Sequence, residues 1–378
     1  MVWLVLAVVC ALFLGYSNGA NDNFKGVATL YGSKTVSYRG ALIWTSITTF
    51  LGAITALFLA AELIIIFKGK GLVPDEVIKT SYFAPVVGLA AALTVIGATA
   101  IKMPVSTTHA LIGALVGAGW AAASSSTNWG TVAEKFFAPM IIGPLASLVL
   151  AAMLYPVFKW WRHRLKVEEE TCLCIDKKVI ATIPSRVATP DGFMKLYQSE
   201  LSIPAPQLGE TAYCKASYSG TVGGVSARGI LDILHFLSSG VVCFARGLND
   251  TPKIAALLLI ASVESVEVAL AIVGIAMLIG GLIHSRRIAE TMGEKITEMN
   301  PGQAFTANLV TGIMVLFASK IGLPVSTTHV SCGSIFGIGV ATKQAHWDVI
   351  KKILLAWSVT LPIGFGLGAL GFTLCMFL

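Results

Sequence analysis

The sequence predicts an all-α polytopic membrane protein, two inverted-topology repeats with broken or re-entrant helices and about 10–12 transmembrane segments. Three observations carry this. Of 378 residues, 55% are hydrophobic and 12% charged, with a mean hydropathy of +0.79, whereas a soluble domain keeps about a quarter of its residues charged. Apolar runs of spanning length recur along the chain, and two polar motifs set inside those runs each occur twice.

In chain order the runs lie at 2–20, 40–66, 82–101, 104–122 and 136–158, then at 229–247, 266–283, 303–321, 323–341 and 353–377. Each approaches or exceeds the roughly 20 residues that cross a bilayer. The first has no basic region ahead of it and no convincing cleavage site, so it reads as a transmembrane helix and not a removed signal. Gly, Pro and polar residues in 21–32, 104–122, 249–262 and 324–341 mark where half-helices or re-entrant hairpins are expected. Charges crowd between Lys159 and Arg228, a stretch with Glu168-Glu169-Glu170, several prolines and the β-prone Val179-Ile180-Ala181-Thr182. That segment reads as a small hairpin or a linker without chemistry, and divides the chain into a first membrane repeat (1–159), a polar loop (160–227) and a second membrane repeat (228–378).

The net charge of +7 does not indicate a nucleic-acid partner, since no soluble domain remains to carry a contiguous basic surface. Loop lysines and arginines that set topology account for it. Seven cysteines, Cys10, Cys172, Cys174, Cys214, Cys243, Cys332 and Cys375, are odd in number and partly inside apolar runs, so no disulfide framework follows. The Cys172-Leu173-Cys174 spacing does not suit a zinc knuckle.

The duplication is explicit. Gly19-Ala20-Asn21-Asp22 is echoed by Gly247-Leu248-Asn249-Asp250, and Lys25 and Lys253 each stand three residues beyond the aspartate. Pro104-Val105-Ser106-Thr107-Thr108-His109 recurs unchanged as Pro324-Val325-Ser326-Thr327-Thr328-His329, followed by the matched glycines Gly113 and Gly333, Gly117 and Gly337, Gly119 and Gly339. If each half crosses an odd number of times, the halves lie with opposite orientation. Loop charges agree: Lys34 and Arg39 in one connector stand opposite Glu264 and Glu267 in its equivalent. With the basic cluster Lys159, Arg162, Arg164 and Lys166 inside, the polar loop is cytoplasmic and both termini lie outside. The loops with Arg286, Arg287 and Lys295 and with Lys343, Lys351 and Lys352 then also fall inside, while Lys68, Lys70 and Lys79, offset by Asp75 and Glu76, are a mild exception.

Asn21-Asp22 and Asn249-Asp250 are the first candidate site. A carboxylate inside an apolar bundle faces a cavity, a partner or an ion. Gly19 and Gly247 can relax the helix, and freed carbonyls with an amide oxygen and a carboxylate suit a hard cation such as sodium. Helix capping by the Asn-Asp pairs is the plainer alternative. The second site is the pair of PVSTTH stretches. Proline favours a helix start, and Ser106, Thr107, Thr108 and Ser326, Thr327, Thr328 would offer hydroxyls and unpaired N–H groups at the positive helix end, a neutral cradle for a phosphate or sulfate oxyanion. Gly113 with Gly117 and Gly333 with Gly337 are expected to pack these helices closely and draw the two cradles together.

Weaker signals surround them. His109 and His329 read first as structural, bonding to a neighbouring helix, and second as proton carriers. Lys25 and Lys253 either attract the anion or snorkel to the interface. Arg246 aligns with Asn18 and is free to contact the anion or a carboxylate; Glu62, Asp232 and His235 lie near predicted helix ends, with water as their partner.

At these motifs the chain resembles the PiT family of inorganic phosphate transporters, whose halves each carry a G-x-N-D and a P-V-S-T-T-H motif. The resemblance covers roughly 10–122 and 235–342, nearly the whole membrane portion. It implies an inverted-repeat carrier of the plasma (cell inner) membrane, importing orthophosphate with sodium or protons by alternating access, with no enzymatic step and no cofactor. Asn21, Asp22, Asn249 and Asp250 then match the positions for cation and phosphate binding, with sodium the one metal ion implied, and Ser106, Thr107, Thr108, Ser326, Thr327 and Thr328 match those lining the anion site. The partners implied are inorganic phosphate, sodium or a proton, and the lipid bilayer; a homo-oligomer stays open. Where many members read GANDVANA, this chain reads Gly19-Ala20-Asn21-Asp22-Asn23-Phe24-Lys25-Gly26.

Sulfate, or another tetrahedral oxyanion, on the same fold is the alternative cargo. Hydrogen phosphate can donate a proton to a carboxylate and sulfate cannot, which favours phosphate beside Asp22 and Asp250. A dianion beside two carboxylates would place about four negative charges together, so several cations or protons are expected to accompany it. A passive anion channel and an intramembrane enzyme with Ser106 or Ser326 as nucleophile and His109 or His329 as base are the other classes. Symmetric duplication speaks against the enzyme, since a catalytic site needs one asymmetric set.

Overall fold

The computed structural model describes residues 1–69, 71–124, 127–168, 171–188, 194–210, 225–292, 296 and 299–377; Lys70, Glu169, Glu170, Cys214 and Lys295 lie outside the described residues. In the first half, α1 (Val2–Asp22) ends at the motif aspartate, the chain turns, and α2 (Ala28–Gly32) leads to α3 (Tyr38–Leu59), α4 (Ala61–Phe67), α5 (Asp75–Ile78) and α6 (Phe83–Ala100). Next come α7 (Thr107–Ala122), α8 (Trp129–Val132), a π-helical turn (Ala133–Phe137) and α9 (Ala138–Arg164). The second half holds α10 (Ala227–Ile260), α11 (Val266–His284), α12 (Arg286–Glu290), α13 (Pro301–Lys320), α14 (Thr327–Thr342) and α15 (Trp347–Met376).

The described residues divide into two compact units, Met1–Val157 with Leu234–Leu378, and Phe158–Ile233. The smaller unit contains an antiparallel hairpin of β1 (Thr171–Ala188) and β2 (Met194–Glu210), with β3 (Val225–Ser226) on the other edge of β1. In the larger unit the repeat extends to fine detail. Ser37 and Ser265, equivalent by sequence, each N-cap a long helix by accepting from Gly40 N at 3.3 Å and Val268 N at 3.2 Å. Lys34 and its counterpart Ser262 are both left-handed turn residues, with φ of 59° and 69°.

Among the described residues, 8 helical stretches are long and apolar enough to cross a membrane. Two of the ten runs, 104–122 and 323–341, lie where half-helices are expected and are 16-residue helices, α7 and α14, each entered through an extended Ser. At 1.5 Å per residue each rises only about 24 Å, short of the roughly 30 Å hydrocarbon core. Within 249–262 the chain does not break at the motif: α10 runs on through Asn249, Asp250 and Pro252 and ends only at Ile260. Only the first-half counterpart turns after Asp22.

The glycines do different work from that expected. Gly19 and Gly247 do not relax their helices, because α1 and α10 continue through them. A Cβ on Gly19 would lie 1.9 Å from the Met277 carbonyl oxygen of α11, and one on Gly247 would lie 2.1 Å from the Thr49 oxygen of α3. Their function is backbone-to-backbone approach, which in lipid is what small residues supply. Likewise Gly113 and Gly117 do not bring α7 to α14. Their Cβ atoms would meet the Leu361 and Phe365 oxygens of α15 at 2.4 and 2.1 Å, and those of Gly333 and Gly337 the Pro144 and Leu148 oxygens of α9 at 2.5 and 2.3 Å. Each motif helix therefore packs on the last long helix of the opposite half. The halves interlock, and the anchoring contacts are main-chain atoms that cannot yield.

Substituting Gly117→Leu or Gly247→Leu is expected to cost at least about 1–3 kcal/mol, as overpacking usually does, whereas Gly97→Ala, with nothing within 4 Å of its Cβ position, leaves stability unchanged or raises it slightly. Thermal unfolding of the purified variants in detergent reads the difference.

Candidate functional site

The last turns of α1 present Asn18, Asn21 and Asp22, and the following turn presents Lys25. From the middle of α10 come Arg246, Asn249, Asp250 and Lys253, while Thr107 and Thr108 open α7 and Thr327 and Thr328 open α14. None of these side chains is more than 7% exposed. Ionised groups this far from water persist only when paired and hydrogen-bonded, and the partners are all present.

Lys25 Nζ pairs with Asp22 Oδ1, donates to Asn21 Oδ1 at 2.9 Å and the Val105 carbonyl at 2.6 Å, and reaches across to Thr328 Oγ1 at 2.6 Å. Lys253 repeats this from the other half: Asp250 Oδ1 at 3.4 Å, the Val325 carbonyl at 2.7 Å and Thr108 Oγ1 at 2.8 Å. Each lysine thus binds its own aspartate and a threonine of the opposite half's PVSTTH motif. The snorkelling alternative is overturned, because their ammonium groups are held by oxygens from two halves and their exposures are 3% and 2%.

The second threonine of each motif goes to the cross-half lysine and the first to its own half's aspartate. Thr107 Oγ1 donates to Asp22 Oδ2 at 3.0 Å and Thr327 Oγ1 to Asp250 Oδ2 at 3.4 Å. Asn18 Nδ2 joins the centres, lying 2.8 Å from Asp22 Oδ2, 3.0 Å from Thr107 Oγ1 and 3.4 Å from Asp250 Oδ2. Ser106 and Ser326 act differently: their Oγ atoms accept from His109 N at 3.1 Å and His329 N at 3.2 Å, so both N-cap their helices. For the serines, capping is the observed contact.

Arg246 meets its own repeat counterpart. Its Nη1 donates to Asn18 Oδ1 at 3.3 Å and its Nη2 to Asn23 Oδ1 at 3.1 Å, while Nε has no partner among the described residues. Lys25, Lys253 and Arg246 set three formal positive charges against the two negative charges of Asp22 and Asp250. Part of the positive charge expected to accompany a dianion beside the two carboxylates is thus built into the chain.

Other expectations also change. Among the described residues neither His109 Nδ1 nor His329 Nδ1 has a hydrogen-bond partner; their rings lie 4.2 Å apart, and His329 stacks on Trp357 of α15 at 3.7 Å. His235, expected in water, is buried with Nε2 3.1 Å from Thr29 Oγ1, to which Asn308 Nδ2 also donates at 3.0 Å. Sequence reasoning missed Thr99 and Ser319. These are repeat equivalents: Asn21 Nδ2 donates to Thr99 Oγ1 at 2.8 Å and Ser319 Oγ donates to Asn249 Oδ1 at 3.2 Å. Extending the 220-residue offset of the PVSTTH motifs back from Pro104 and Pro324 pairs these two positions, both hydroxyl residues. Among the described residues no three His, Cys, Asp or Glu side chains cluster as a metal site; the site's donors are oxygens of mixed type.

A model of the phosphate transporter family matches residues 18–368. The chain belongs to that family. A "Putative phosphate permease" of Thermococcus kodakarensis is 28% identical over 99% of this chain and 98% of its own length. A "Probable low-affinity inorganic phosphate transporter" of Bacillus subtilis is 27% identical over 98% of this chain and 97% of its own. A solved structure described as "The sodium-dependent phosphate transporter" superposes with a TM-score of 0.75 over 100% of both chains at 21% identity, a likeness that shows the shared fold. This member of the phosphate transporter family is a multi-pass membrane protein and a transporter, and the intramembrane enzyme falls away as a reading.

Removing one partner of a buried pair strands the other. Asp22→Leu is expected to destabilise the protein by about 3–5 kcal/mol, and the double variant Asp22→Leu/Lys25→Met by less than the single one, because the charge it would leave behind is gone. Unfolding midpoints of the three proteins in detergent check this ordering.

Proposed function

We propose that the chain is a secondary active importer of inorganic phosphate, moving it with sodium or protons by alternating access. The anion would bind where the duplicated motifs meet, and 1–159 and 228–378 are the two inverted repeats. One observation carries the reading: both Asn-Asp pairs and both PVSTTH helix starts fall into a single buried, formally positive cluster stitched across the halves by Lys25–Thr328 and Lys253–Thr108.

Thr107, Thr108, Thr327 and Thr328 supply hydroxyls at two helix N-termini, where backbone N–H groups and the helix dipole favour an anion. The unpartnered Nε of Arg246 supplies a buried donor that an oxyanion satisfies. Asn21, Asp22 and Asp250 hold the ammonium groups, Asn249 braces Asp250 through its Nδ2, and the carboxylates accept from a protonated phosphate, which sulfate cannot match. Ser106 and Ser326 fix the helix starts that present these groups. The cross-half lysine–threonine bonds are made in symmetric pairs, so breaking one set and remaking it is a natural step in rocking one half against the other. We place the protein in the plasma membrane with both termini outside and 160–227 in the cytoplasm, as the loop charges favour. Sulfate or another tetrahedral oxyanion on the same machinery is the competing cargo.

Labelled phosphate uptake into proteoliposomes tests this. Accumulation above equilibrium under an inward cation gradient, resistant to excess sulfate and lost in Asp22→Asn, is the expected result. Full competition by sulfate would transfer the reading to the alternative cargo, and equilibration without accumulation would make the protein a passive channel.

A further inference from the structure

We propose that the ammonium groups of Lys25 and Lys253 are resident counter-cations occupying the two positions that a coupling sodium would otherwise take, so that this chain transports its oxyanion without sodium and a proton gradient alone drives uptake. The inference rests on the phosphate reading above and specifies its coupling ion.

The geometry is that of a cation cage. An ammonium has three protons to donate, yet Lys25 Nζ is surrounded by four oxygens of four kinds: the Asp22 carboxylate, the Asn21 amide, the Val105 carbonyl and the Thr328 hydroxyl. A carboxylate, an amide oxygen, a main-chain carbonyl and a hydroxyl form the donor set that a hard monovalent or divalent cation selects. Lys253 sits among the Asp250 carboxylate, the Val325 carbonyl and the Thr108 hydroxyl, the same arrangement from the other half less the amide oxygen, which on Asn249 accepts from Ser319 instead. A free cation entering either cage would have to displace a tethered one that is already covalently concentrated there. Both cages are filled by a tethered ammonium, so neither is left over for sodium.

Charge leads to the same result. Asp22 and Asp250 against Lys25, Lys253 and Arg246 leave one formal positive charge in a site removed from water. Monobasic phosphate neutralises that charge with no added cation, and it brings its own proton. Sodium would raise the uncompensated charge in a low-dielectric site where like charges repel strongly. Each lysine is tethered three residues past its aspartate, Lys25 in the turn that follows α1 and Lys253 within α10, so these counter-ions can move with the rocking halves and cannot leave with the cargo.

The test uses the full chain in proteoliposomes, with labelled inorganic phosphate as the probe and a fixed inward proton gradient, in sodium or in choline medium. The wild-type protein is expected to take up phosphate equally in both. Lys25→Asn and Lys253→Asn open the cages, and each is expected to gain a sodium stimulation of roughly tenfold, the ratio set by one added cation interaction of about 1.4 kcal/mol. In detergent, sodium is expected to leave the wild-type unfolding midpoint unmoved and to raise that of each variant. Sodium stimulation of wild-type uptake, or a sodium-induced rise in the wild-type midpoint, would overturn the inference, as would folded variants indifferent to sodium. If a variant fails to fold, the wild-type ratio and midpoint decide alone. Wild-type protein that takes up no phosphate under any gradient would refute the phosphate reading instead, while the midpoint arm would still judge the lysines.

Discussion

Everything in this molecule has to accommodate two aspartates, two lysines and an arginine buried where water does not reach. Isolated, any one of them would cost several kcal/mol. They are tolerable because each finds partners on more than one element. Lys25 and Lys253 reach from their own aspartates into the opposite half, and Asn18 holds both carboxylates and, through its oxygen, Arg246. The α7 and α14 helices must therefore start at the centre of the larger unit, which is why both are short and both are entered through an extended serine.

Bringing four helix segments so close demands that other side chains disappear. Glycines at 19, 247, 117 and 337 let backbones touch, and at each of these positions the obstructing atom is a carbonyl oxygen of the other half. The polar centre and the small-residue contacts are two sides of one arrangement: α1 against α11 and α10 against α3 align the aspartate and lysine, while α7 against α15 and α14 against α9 aim the threonines. A shift at any of these seams would move hydrogen-bond partners that must stay within about 3 Å to count.

Much of this is legible in the sequence. Duplicated GxND and PVSTTH motifs identify the residues that converge, because an unchanged six-residue match inside apolar runs hardly arises by chance. What sequence does not carry is partner choice. Glycine spacing announces close packing without saying against what, so Gly113 and Gly117 suggest the wrong neighbour. The lysines look free to snorkel because their oxygen cages draw on Thr108 and Thr328, which lie 145 and 303 residues from the lysines they hold. His235 misleads for the same reason, since Thr29 is 206 residues away. The equivalence of Thr99 and Ser319 is present in the repeat offset, but side-chain identity differs there, and only the bonds to Asn21 and Asn249 reveal the common role.

Coupling of the two halves through the lysine–threonine pairs is the property on which all the rest turns. A double-mutant cycle on unfolding midpoints, combining Lys25→Met with Thr328→Val and, in parallel, Lys253→Met with Thr108→Val, measures that coupling directly. The expected interaction energy is about 1 kcal/mol or more in both cycles, within the range found for residues in one polar network. Additivity within about 0.3–0.5 kcal/mol, the behaviour of independent sites, would contradict it.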